Sequence, residues 1–148
     1  MPTFELTYEL KLVNNTAPLQ VTKPQDALPY LSQHCFTVEQ MWRERAVVLF
    51  LDKSSRILGF HVLSDGGTSS CTMSPQDVAR AALIGRANGV ILSHNHPCDN
   101  PRPSQADIET TRKIQKALSA VGLLFIDHII VTPGGEAFSF SEEKIIHS

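Results

Sequence analysis

A chain of 148 residues with 42% hydrophobic and 19% charged content can bury one sizeable core, so one compact domain is expected and nothing in the composition suggests disorder. The formal net charge of -2 leaves no basic surplus for holding nucleic acid by bulk electrostatics. Cys35, Cys71 and Cys98 are an odd set at unrelated spacings, so neither a disulfide framework nor a Cys-x-x-Cys metal site is expected.

In chain order, FELTYELKLV over 4–13 alternates apolar and polar residues and predicts a half-buried strand, ended by Asn14, Asn15 and Pro18. TKPQDALPYLSQHC, from Thr22, predicts a short helix that Pro29 limits, so that residues 1–35 form a strand and helix packed on the rest of a single domain over 1–148. AVVLFL at 46–51 reads as a strand covered on both faces, and Asp52-Lys53-Ser54-Ser55 turns the chain into a paired strand over 56–63. Ser74-Pro75-Gln76-Asp77 starts a helix running to about Ala87 and closed by Asn88-Gly89. A short strand at 90–93 is followed by a helix from Ser104 to Val121, with Ile108, Thr111, Ile114, Ala117 and Leu118 on one face and Gly122 beyond its end. LLFIDHIIVT at 123–132 is a strand, 133–135 a turn and 137–140 a last short strand. Strands interspersed with two long helices predict an α/β sandwich with a mixed sheet. No apolar run approaches the roughly 20 residues of a membrane span, and no signal segment opens the chain. A cytoplasmic protein without a membrane partner is expected.

The chemistry concentrates in SHNHPCDNPRPSQAD, 93–107. In extended backbone, side chains two apart share a side, so His94 and His96 face one site and Asn95 faces away. Pro97 holds His96 extended and ends the strand. Two imidazoles suit Zn²⁺, and a catalytic zinc needs a third protein ligand and an open position. Asp107 is the candidate carboxylate, returned to the histidines by a loop stiffened by three prolines. Each piece also has a structural explanation. A His-x-His pair can simply pack, and Ser104-x-x-Asp107 is a helix-capping box. The cap and the ligand are compatible, because a carboxylate in the first turn offsets the helix dipole that would otherwise repel a cation.

Taken together, His94, His96, Ser104 and Asp107 have the H-x-H-x7-S-x2-D spacing that resembles the JAMM motif of the JAB/MPN metalloprotease family. That family adds an upstream glutamate near a strand start, to which Glu44 corresponds, with Glu39 as the less well placed alternative. ERAVVLFLD, the Asp65-Gly66-Gly67-Thr68 segment, SPQDVARAAL, ILSHNHP, PRPSQAD and DHIIV occur in the order found in RadC-type proteins, and the similarity spans about 41–140. The first 35 residues do not look like the helix-hairpin-helix region that full-length RadC proteins usually carry. The resemblance implies a three-layer JAB/MPN-like sandwich of the cytidine deaminase-like type, with helices flanking a mixed sheet and one Zn²⁺ per chain. It further implies a metallohydrolase acting on a peptide or protein, with Glu44 as general base and then acid and Ser104 as donor to the oxyanion.

Two other functional classes remain open at this stage. The RadC name implies a repair factor associated with DNA, although Arg80, Arg86, Arg102, Arg112, Lys113 and Lys116 are scattered and no aromatic-basic stripe accompanies them. A non-catalytic interaction module is the other. A zinc nucleobase deaminase is disfavoured by the absence of H-x-E and P-C-x-x-C. Asp127-His128 could orient a ligand from outside, yet a histidine in an apolar strand reads first as a structural residue. His34, His61 and His147 lack partners at ligand spacing, and Cys98 reads as a small loop residue. Neither the substrate's identity nor the oligomeric state is legible in the chain.

Overall fold

Five strands, β1 (Arg45–Leu51), β2 (Ile57–Asp65), β3 (Gly89–Asn95), β4 (Leu124–Val131) and β5 (Ala137–Ser139), make one mixed sheet in the order β2-β1-β3-β4-β5. The computed structural model describes residues 1–13, 17–66 and 73–146. The most continuous apolar runs take the centre, and every residue of β3 is buried. β1 pairs antiparallel with both β2 and β3, whereas β3 and β4 are parallel. A parallel pair needs a crossover, which α3 (Gln105–Ala120) supplies, with the loop 97–103 leading into it. The N-terminus of α3 therefore lies just beyond the C-terminal end of β3.

Alternation along the central strands divides the core into two layers. Ala46, Val48, Val90 and Leu92 pack beneath α2 (Pro75–Ile84) and α3 through Val78, Ala82, Ile114 and Leu118. Val47, Leu49, Leu51 and Ile91 face the other way, onto Ala27, Leu31 and Cys35. Those last three belong to a tight 3-10 turn, Pro24–Ala27, and a wide π turn, Leu31–Cys35, on either side of one α-helical turn, α1 (Leu28–Tyr30). The result is an α/β three-layer sandwich with helices on both faces of a mixed sheet, as the sequence leads one to expect. Truncating a side chain as deeply buried as Ile114 to alanine costs about 2–5 kcal/mol.

Three expectations need correction. Residues 4–13 form no strand: Phe4, Leu6 and Leu10 are 90%, 77% and 86% exposed. Alternation describes an amphipathic ribbon, but a strand exists only through a ladder, and no ladder partner meets this segment among the described residues. Second, α2 stops at Ile84 instead of running to Ala87. Arg86 takes the left-handed conformation at φ 54, and Ala87 N–H and Arg86 N–H bond back to Ala82 O and Leu83 O in a Schellman closure. Glycine usually holds that position; here arginine does, one residue after Gly85. Third, β3 continues past Ser93 through His94 and Asn95. Asn14, Asn15, Thr16, Gly67, Thr68, Cys71 and His147, which entered the sequence reading, lie outside the described residues.

Candidate metal centre

The end of β3 uses its two faces differently. His94 pairs across the ladder with Ala46 of β1, and its side chain lies on the α2/α3 face, like those of Leu92 and Val90. Asn95 points to the opposite face, fully buried. Its Oδ1 accepts from Arg45 N–H at 2.7 Å, and its Nδ2 donates to Arg43 O at 2.9 Å and Met41 O at 3.2 Å. His96 returns to the first face. Its backbone N–H bonds to Val131 O at 2.9 Å, and its Nε2 stands 3.1 Å from Nε2 of His94.

The third group arrives with α3. Ser104 Oγ accepts from Asp107 N–H at 3.0 Å, and Asp107 Oδ2 accepts from Ser104 N–H at 2.9 Å, a reciprocal capping box. That same Oδ2 lies 3.7 Å from His94 Nε2 and 3.6 Å from His96 Nε2. Ligand atoms of His94, His96 and Asp107 all fall within 4.8 Å of one another. The side chains of His96 and Asp107 are 14% and 21% exposed, so this buried cluster has one edge open to water. It sits at the carboxyl end of a parallel strand pair and at a helix N-terminus, where open α/β sheets place their ligands.

Hydrogen-bond accounting fixes the protons. The Thr111 hydroxyl donates to Asp107 O at 2.7 Å, since a carbonyl can only accept. Thr111 Oγ1 must then accept from His128 Nδ1–H, also at 2.7 Å. This leaves His128 Nε2 bare to accept from His94 Nδ1–H at 2.7 Å. On the other side, His96 Nδ1–H donates to Asn100 O at 2.9 Å. In their neutral forms both His94 and His96 therefore aim an unprotonated Nε2 at Asp107 Oδ2. Three acceptors converge with no hydrogen among them, an arrangement that calls for a cation. Two imidazoles and one carboxylate with an edge open to water are a donor set that fits a divalent cation such as Zn²⁺.

The electrostatics follow from the same contacts. Burial, reinforced by the neighbouring His94, holds the His128 imidazole well below its usual 6.5 and keeps it neutral. Burial pushes the Asp107 carboxyl up, but His94 and His96 outweigh it and hold the group well below the usual carboxylate range. His96 is raised, chiefly by Asp107 and against its own burial, with Asn100 and, more weakly, Glu44 adding to the shift.

Glu44 immediately precedes β1. Continuing the β1/β3 register two residues beyond the Ala46 and His94 pair sets it opposite His96 and on the same face. It is half-buried, and its backbone carbonyl accepts from Gly66 N–H at 2.8 Å. Glu39 is exposed in the preceding turn, and Cys98 is exposed in the loop. Asp127 turns away from the cluster: its carboxylate accepts from Ser139 Oγ at 2.5 Å and from the backbone N–H of Ser141 and His128. Burial raises its pKa against those bonds. His61 is exposed on β2, and the His34 ring lies tilted at 53° against Tyr30, with centroids 4.6 Å apart. The sequence gives no functional role to Asn95 or Thr111 and favours a structural role for His128 over that of orienting a ligand. The available signal was polarity where the pattern demanded apolar residues.

Comparison with known proteins places the chain in a family. A model of the RadC-like JAB domain matches residues 21–145. The chain is 39% identical over 118 residues to a UPF0758 protein of Actinobacillus pleuropneumoniae serotype 5b (strain L20), an alignment covering 78% of this chain and 53% of that protein. A UPF0758 protein of Aquifex aeolicus (strain VF5) is 33% identical over 128 residues, covering 86% and 53% of the two chains. One from Photobacterium profundum is 39% identical over 123 residues, covering 83% and 53%. The chain thus spans about half the length of the curated relatives it matches.

Proposed function

The chain belongs to the RadC-like JAB domain family, and on that premise we propose that it is a zinc-dependent hydrolase of amide bonds, in a peptide or as an isopeptide between proteins. The observation that carries this reading is the convergence of His94 Nε2, His96 Nε2 and Asp107 Oδ2 at an open edge, with Glu44 on the same face. Zn²⁺, when bound there, would supply Lewis-acid polarisation and a water of lowered pKa. His94, His96 and Asp107 would hold the ion.

The chain's remaining groups divide the proton transfers. Glu44 takes a proton from the water as it adds to the carbonyl carbon, then returns it to the nitrogen as the carbon–nitrogen bond breaks. Ser104 Oγ already accepts from the Asp107 amide, so its hydroxyl hydrogen is what it has to offer a developing oxyanion. A reducing compartment such as the cytoplasm suits the free thiols of Cys35 and Cys98. Among the described residues, no helix is long and apolar enough to cross a membrane.

The test is cleavage of a fluorogenic peptide mixture and of isopeptide-linked substrates by zinc-loaded wild type and Glu44→Gln. The variant should keep its zinc and lose about 10²–10⁴-fold in rate. A Glu44→Gln protein that retains zinc and cleaves as fast as wild type rules out the assigned base.

A further inference from the structure

His128 is fully buried in an apolar strand, yet both its ring nitrogens are engaged at 2.7 Å, one by His94 and one by Thr111. Its ring lies flat on Phe140, with centroids 4.5 Å apart and planes at 11°, so its orientation is set by packing. Its carbonyl accepts from Phe140 N–H at 3.0 Å, which ties it to the chain beyond β5. In the parallel register His128 sits beside Leu92 and His94 beside Ile130, which brings the two rings to one face of neighbouring strands. We propose that His128 is a positioning residue: held by Thr111 at one ring nitrogen, it fixes with the other the tautomer and ring angle of His94 and thereby sets the affinity of the centre for a divalent metal. This inference rests on the zinc-site reading above.

A neutral imidazole has two tautomers, and only one presents Nε2 to an ion; the hydrogen bond at the other nitrogen makes the choice. Here the choice is made three hydrogen bonds away. The Asp107 carbonyl orients the Thr111 hydroxyl, Thr111 orients His128, and His128 orients His94. Because the first of those groups belongs to the third ligand, one chain of hydrogen bonds links β3, β4 and α3 and returns to the metal face. Without the His128 nitrogens, the His94 ring keeps its place in the strand but loses both its preferred tautomer and its rotational stop.

The experiment measures zinc affinity of the full chain by competition with a chromophoric chelator. In parallel, the ring tautomer of His94 is read from two-bond ¹H–¹⁵N correlations in the metal-free protein. Wild type should show His94 protonated at Nδ1. His128→Phe keeps an aromatic ring on Phe140 and deletes both nitrogens; it should lose about 10–100-fold in zinc affinity and show mixed tautomers at His94, with His96 unchanged. His128→Gln, whose side-chain oxygen can accept from His94, should recover most of that loss. Thr111→Val removes the acceptor for His128 Nδ1–H at nearly constant volume, moves the same two readouts in the same direction, and decides the matter if His128→Phe does not fold. Zinc affinity within about twofold of wild type in the folded variants, with an unchanged His94 tautomer, overturns the proposal. A wild type that binds no zinc overturns the zinc reading instead, and the tautomer then decides whether His128 positions His94.

Discussion

The Nε2 atoms of His94 and His96 face each other across 3.1 Å, each ring having spent its Nδ1 hydrogen on a different partner, His128 for one and Asn100 O for the other. Two facing lone pairs beside a carboxylate are held together by whatever positive charge enters between them. Elemental analysis of carefully prepared wild type should therefore find one zinc per chain. His96→Ala should lose more affinity than the roughly 10–100-fold typical of deleting an outer partner. Equal metal in both proteins, or none in wild type, sinks the site.

A proton competes for the same place, which gives the centre a pH dependence of definite sign. The folded-state pKa of His96 is raised above 6.5. Its contribution to the stability of the metal-free chain is thus fully present below 6.5 and lost as pH rises through the raised value. Asp107 is depressed below 3.8, so its contribution is present above 3.8 and lost as pH falls through the lower folded value. Metal-free protein should consequently melt highest between the two ordinary values and lower above the His96 transition, whereas zinc affinity should rise with pH through that transition. Thermal melts with and without zinc across pH 5 to 9 check both signs, and an affinity flat in pH contradicts the proton competition.

Asn95 should act on the Glu44 side of the site while touching neither metal nor substrate. Its amide ties down Arg45 N–H, Arg43 O and Met41 O, the backbone on either side of Glu44. Asn95→Leu leaves part-buried backbone groups without their partner and should cost about 1–3 kcal/mol. Denaturant unfolding reads that cost; zinc affinity should change less than the rate of hydrolysis, and unchanged stability would show that the clamp is idle.

Ser104→Ala removes the Ser104 Oγ half of the α3 capping box and leaves the Asp107 carboxylate in place. The expected loss is about 1 kcal/mol of stability, read by denaturant titration, with zinc still bound. A variant as stable as wild type would mean that Asp107 caps the helix unaided.

How much of this was legible depends on how far apart in sequence the partners lie. His94, His96, Ser104 and Asp107 fall within one strand, one loop and the first turn of one helix, so spacing alone suggested a common site. Glu44 was legible only by family resemblance, because it reaches the site through the pairing of β1 with β3. His128 and Thr111 acquire their roles from a parallel pairing and a crossover helix, and strand period says nothing about which strands become neighbours. Residues 4–13 show the reverse failure: the alternation is plain, but it names no partner, and the segment stays exposed. Arg86 in a left-handed cap was hidden by Gly85 and Gly89 on either side of it.

The three residues His94, Asn95 and His96 serve opposite faces of one strand, two toward the candidate metal site and one toward the stretch carrying Glu44. Since strand faces alternate with a period of two, deleting a single codon within β3 ahead of this triplet would exchange its faces. Asparagine would enter the metal site, and both imidazoles would turn toward the backbone that Asn95 now clasps. Ligand set and Glu44 support are thus inherited as one reading frame of the sheet.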